Sequence, residues 1–261
     1  MAEIMFYERP VALNRERHQK LKLAITPNHF SFAAKTNAVP IASTEFAEAA
    51  RDYPIVFLGS EDGPFSVAAL VGLRNDENLM VDADGHWAEG TYIPAFARRY
   101  PFVLAQSSEN DQQLTVCIDE VYPGLTDNTG EELFDEAGAE TPYLKRVLEF
   151  LQLFHLEAQR TMQFASRLKE LGLLVPKVIN VDRKGVKQTV QGLWIVDEAK
   201  FRGLDDVRVV ELFRQGYIHW IDAHLFSLGS LQRLTARLDE HSQVSDEVGM
   251  LESLPTPPVK H

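Results

Sequence analysis

One cysteine, Cys117, stands in 261 residues, so no disulfide can form within the chain. A lone cysteine in an alternating apolar pattern reads as a small buried hydrophobe, and a reducing cytoplasm is the simplest setting for it. Phosphate-binding fingerprints are missing: neither GxxxxGK(S/T) nor a GxGxxG after a strand occurs. No GxSxG elbow marks an α/β-hydrolase, and no HExxH or cysteine cluster marks a zinc site. Long apolar runs are also lacking. The longest, such as 67–71, are strand-sized and far short of the ~20 residues that a membrane span needs. The first residues have neither the basic nor the apolar region of a signal peptide, so the expectation is a soluble cytoplasmic protein, with non-classical export left open. Basic residues are in short supply, 26 Lys and Arg against 38 Asp and Glu, for a net charge of −12. The densest basic cluster, 15–22, is short, and this balance counts against nucleic acid as a partner.

What is present is an ordinary globular composition, long enough to bury a core without disulfides or metal. Residues 6–13 read as an edge strand because Pro10 lies inside them, and 21–25 alternate as a half-buried strand. A short helix is predicted over 44–51, with Glu45 in its first turn. Runs at 55–58, 65–73 and 79–81, separated by turn clusters, predict an antiparallel meander. Pro94 and Pro101 bound a short helix over 93–100, and 102–106 and 114–119 form a strand pair around the loop 107–112. From 122 to 140 the chain is rich in Gly, Asp and Glu, which suggests a domain boundary or an exposed acidic loop.

Thr141 as N-cap and Pro142 as first helical residue open the strongest element. Leu144, Leu151, Phe154, Met162, Ala165 and Leu168 recur at helical spacing up to Gly172. About 30 residues at 1.5 Å each make a helix on the order of 45 Å, long enough to act as a spine. A hairpin over 174–196 turns at Asp182–Gly185, and helices follow over 207–215, 217–226 and 228–238. The fold class is therefore α+β. A β-rich part, 1–135, docks on a helical part with a hairpin, 141–240, as one integrated unit, and 241–261 read as a disordered tail.

Three groups of residues invite a chemical reading. Arg98 and Arg99 sit beside Trp87, Tyr92 and Tyr100, where they can clamp a carboxylate or stack on an aromatic ligand. The plainer reading pairs the arginines with the acids of 131–140 and puts the aromatics in the core. His219, Asp222 and His224 form the nearest approach to a metal cluster. His224 lies about 140° round the helix from His219, so an amphipathic helix with partly exposed histidines explains them better. Asp82, Asp84 and Gly85 match half of a calcium loop, but its twelfth-position glutamate is absent, which leaves a turn. No cofactor is called for.

The run Tyr53 to Leu58, then 67–73, then GxWxxxxYIPAFARRYPF, resembles the SapC family of bacterial proteins. The C-terminal half agrees in FLQLFHLEAQRT, LWIVDEAKFRGLDD and LFRQGYIHWIDAHLFSLGSLQRL, so the similarity runs from about 6 to 238. The resemblance implies no catalytic residues. Similar proteins are often encoded beside TonB-dependent receptors, flavin-dependent tryptophan halogenases and cupin-like hydroxylases. It therefore implies an accessory role in outer-membrane uptake or in modification of a peptide or aromatic substrate. The permease label often given to such proteins conflicts with a chain lacking membrane spans. Together these readings favour an accessory or binding protein with a protein or peptide partner. An enzyme with a dispersed site and a surface-layer structural component are the alternatives.

Overall fold

The structure, a computed structural model, describes residues 4–106, 114–183 and 186–238. Strand β1 (Pro10–Ala12) and helix α1 (Arg15–His18) lead to β2 (Lys22–Leu23) and β3 (Ala38–Pro40). A 3-10 turn at Ser43–Glu45 runs into α2 (Phe46–Ala49), followed by β4 (Ile55–Gly59) and β5 (Phe65–Leu70). The four-residue α3 (Ala95–Arg98) precedes β6 (Phe102–Gln106), β7 (Leu114–Asp119), β8 (Leu125–Thr126) and β9 (Glu131–Glu132). Then come α4 (Pro142–Glu170), β10 (Leu174–Arg183), β11 (Val186–Val196), α5 (Glu198–Arg202), α6 (Asp206–Arg214) and α7 (Tyr217–Ser227). Residues 231–238 are again helical. The architecture is α+β. No described helix is long and apolar enough to cross a membrane. The loop 107–112, the hairpin turn at Lys184–Gly185 and the tail 241–261 lie outside the described residues.

Strands pair in the order β10-β11-β4-β5-β3, so the late hairpin completes a sheet begun by early strands. Smaller sheets are β1-β7-β6 and β8-β2-β9. The third strand beside β4 and β5 is thus β3, where the meander was expected to use 79–81. That run contributes only one bridge, Val81 to Trp87. The reason is local: Val39 pairs in register with Ala69, while Leu79 meets Val71 just beyond the end of β5. The acidic stretch 122–140 is also more than a loop. It supplies β8 and β9, and buries Tyr122, Leu133 and Phe134. Gly130, at φ +119°, permits this, because a Cβ there would lie 2.4 Å from the Leu23 carbonyl oxygen.

The spine helix α4 starts as its sequence dictates. Thr141 Oγ1 accepts the Leu144 N–H at 3.2 Å, and Pro142 stands at the first turn. Gly172, with positive φ, follows its end. Its buried face is not one straight stripe. Leu144 and Leu151 join a cluster with Tyr7, Tyr100, Ile118 and Leu133. Phe164, Ala165 and Leu168 join another with Phe46, Phe57, Leu212 and Ile221. The two buried faces differ by about 100° around the helix. Met162, about five turns beyond Leu144 and on the same azimuth, is therefore 55 % exposed, contrary to the expected stripe. Thr161 and Phe164 take the inward positions instead.

Candidate functional site

Glu45 is the anchor around which the nominated residues assemble. Its Oε2 accepts the Ala42 N–H at 2.8 Å. Its Oε1 accepts the Ala95 N–H at 2.7 Å and the Tyr92 hydroxyl at 2.8 Å. One buried carboxylate thereby ties the turn before α2 to the first turn of α3. A second chain of bonds fixes Tyr92 from below. Trp87 Nε1 donates to the Tyr53 hydroxyl at 3.1 Å, and that hydroxyl donates to the Tyr92 carbonyl. The Tyr92 N–H donates to Asp52 Oδ2 at 2.9 Å. Burial, then the neighbouring Glu45 charge, pushes the Tyr92 hydroxyl up to about 12.

Arg98 completes this group on the surface. Its Nε donates to the Ile93 carbonyl at 2.9 Å and its Nη2 to the Tyr92 hydroxyl at 3.2 Å. The guanidinium lies 5.7 Å from the Tyr92 ring centroid and 5.5 Å from that of Phe150. Arg99 points elsewhere. Its Cζ is 3.9 Å from the Phe96 centroid and 5.2 Å from that of Phe154, and its Nε is buried without a hydrogen-bond partner. Burial lowers its pKa from the ordinary arginine value. Neither arginine forms an ion pair with a described carboxylate, so the expected pairing with the acids of 131–140 is not what holds them. Of the four nominated residues, the structure joins Trp87, Tyr92 and Arg98, and separates Arg99 into a packed aromatic layer.

Beneath Arg98 opens a cleft of about 300 Å³. Ala42, Thr44 and Glu45 form one side, Tyr92, Ala95 and Arg98 the second. Phe150, Leu153, Phe154 and Glu157 of α4 form the third, at spacings that put them on one helix face. That face continues the one buried at Thr161, Phe164 and Leu168, but here it is only partly covered: Arg98 and Arg99 lie over Phe150 and Phe154, while Leu153 is 59 % exposed. The cleft is thus the partly covered middle of the spine's apolar stripe, between two cores that cover different faces. Sequence reasoning missed Glu45 as anchor and this part of α4. The i, i+3, i+4, i+7 spacing of Phe150, Leu153, Phe154 and Glu157 was the available signal. Larger hollows lie beside Met162 and Arg167, about 700 Å³, and beside Val207 and Val210, about 640 Å³; the second is lined by the exposed Arg214, which no hydrogen bond or ion pair among the described residues fixes in place. Arg167 is held by Glu170 and Glu211, at 2.9 and 2.7 Å.

The histidine group on α7 does not converge. His219 and Asp222 are exposed, whereas His224 is fully buried, contrary to the partial exposure expected of both histidines. His224 Nε2 accepts the Val196 N–H at 3.0 Å, and the ring packs edge-on to Phe57. Burial pushes its pKa down to about 4. Among the described residues, one trio brings possible metal-ligand atoms within 4.8 Å of one another: Asp82, Asp84 and His86. Asp82 Oδ1 there accepts the backbone N–H groups of Asp84 and His86, at 3.0 and 2.8 Å, as a turn requires. Cys117 is buried in β7, and its thiol is raised by burial.

Fold and cleft together define an α+β protein whose surface carries a guanidinium above a half-exposed apolar helix face. A family model described as SapC matches residues 13–234, and the chain belongs to the SapC family. No curated protein and no solved structure matches it.

Proposed function

We propose that this SapC-family chain is a binding or accessory protein that works through the Arg98 cleft. The observation that supports this most is the state of Arg98. It is fixed by Ile93, Tyr92 and Phe150, yet it has no carboxylate partner among the described residues. An arginine held in place beside exposed apolar surface matches the composition of interaction hot spots. On this reading the partner is a protein or peptide. TonB-dependent receptors, flavin-dependent halogenases and cupin-like hydroxylases are the classes that the family resemblance brings forward, and the cytoplasm is the setting.

The test is retention of peptides on an array by the full chain and its variants. Arg98→Ala and Leu153→Glu should lose peptides that the wild type retains, while Arg208→Ala on α6 keeps them. Melting curves establish that each variant is folded. Equal retention by all four proteins would remove the cleft from the account.

A further inference from the structure

The groups lining the cleft differ in whether they are already engaged. Both oxygens of Glu45 are used, by three donors. Both oxygens of Glu157 accept from Arg160 Nη1, at 3.0 and 3.1 Å. The guanidinium of Arg98 has five N–H donors. Two are used, one on Nε and one on Nη2. Both hydrogens of Nη1 and one of Nη2 therefore lack an acceptor among the described residues. Open guanidinium donors of this kind are what a carboxylate engages. Every carboxylate oxygen of the cleft already has a donor, while the guanidinium keeps three donors open, so the cleft favours an anion over a cation.

Size and spacing narrow the anion further. About 300 Å³ is at the lower limit of ligand pockets and suits one large side chain. The apolar surface begins next to the charge, since Arg98 Cζ is 5.5 Å from the Phe150 centroid. A terminal residue carries its carboxylate and its side chain on the same Cα. In an extended chain, neighbouring side chains point to opposite faces. An internal acid and its apolar neighbour therefore do not enter a one-residue cleft together. A free amino acid adds an ammonium, and both carboxylates of the cleft already accept a donor on each oxygen. Leu153 and Leu156, 59 % and 53 % exposed, extend the apolar wall outward along α4, where the preceding residues of a peptide would lie.

We infer that the cleft captures the C-terminal residue of a peptide, its carboxylate on the open donors of the Arg98 guanidinium and its apolar side chain against Phe150 and Phe154. This rests on the cleft being the binding site proposed above. Terminal-carboxylate capture is an established mode of peptide recognition.

Isothermal titration of the full chain with N-acetylated hexapeptides tests it. Each has a Gly/Ser body and ends in Leu, Ile, Met, Phe or Trp, as the free acid and as the amide. At least one free acid should bind, and its amide should bind about tenfold or more weakly. Arg98→Ala should abolish the difference between acid and amide. If acid and amide bind alike, and Leu153→Glu weakens both, the cleft stands and carboxylate capture fails. If an amidated peptide with an internal Asp, or free leucine or phenylalanine, binds as well as the acid, a peptide C-terminus is not the preferred source. If none binds, or if Arg98→Ala and Leu153→Glu change nothing, the cleft itself fails and this inference falls with it.

Discussion

Glu45 Oε1 accepts the hydroxyl proton of Tyr92 at 2.8 Å across 47 residues of sequence. The same carboxylate holds the N–H groups of Ala42 and Ala95, so it joins two segments that no strand pairing connects. Glu45→Ala leaves those buried donors without an acceptor. It should lower the stability to chemical denaturation by about 3 kcal/mol, whereas Tyr92→Phe, which removes one bond, should cost about 1 kcal/mol. Equal, small losses in both variants would show that Glu45 does not act as the anchor.

The two-faced burial of α4 predicts opposite responses at neighbouring positions. Met162→Ser should change stability by no more than about 0.5 kcal/mol, because the side chain is 55 % exposed. Phe164→Ala removes a fully buried ring packed against Phe46 and Trp220, and should cost about 3–5 kcal/mol. Denaturation midpoints of the two variants check the register directly.

His224 should make the fold sensitive to mild acid. Burial depresses its pKa from 6.5 to about 4 in the folded protein. The unfolded chain therefore binds the proton more readily between those values. The stability due to neutral His224 is complete above about pH 6.5 and is lost as pH falls towards 4. His224→Gln keeps an acceptor for the Val196 N–H but does not titrate. Between pH 7 and pH 5 the wild type should lose about 2 kcal/mol more than this variant. Identical losses would mean that His224 is not the titrating group.

Gly130→Ala should destabilise by about 2 kcal/mol or more. Its φ of +119° is strained for an L side chain, and the new Cβ would meet the Leu23 carbonyl oxygen at 2.4 Å. Thermal unfolding is the measurement, and an unchanged midpoint would show that β2 and β9 tolerate separation at that point.

Much of the layout was legible from local signals. Thr141, Pro142 and Gly172 delimit α4 because caps and chain breakers act within a few residues. The strands β4, β5, β10 and β11 announced themselves as apolar runs between turns. What escaped the sequence is set by distant contacts. Which strand flanks β5 depends on chain return, not on the composition of 79–81. The burial of His224 depends on β4 and β11 closing over α7. The candidate site was half legible. Trp87, Tyr92 and Arg98 lie in one conspicuous stretch, but Glu45, Phe150 and Leu153 join them only through folding. Arg99, indistinguishable from Arg98 in the sequence, buries its guanidinium against Phe96 instead.

The central claim is that ligands bind at the Arg98 cleft. Backbone and methyl chemical-shift mapping of the labelled full chain, titrated with the tightest-binding peptide acid, tests it most directly. The account predicts saturable shifts centred on Tyr92, Arg98, Phe150, Leu153 and Phe154, lost in Arg98→Ala. Shifts centred instead on the exposed face of α6, at Val207, Val210 and Phe213, would contradict it.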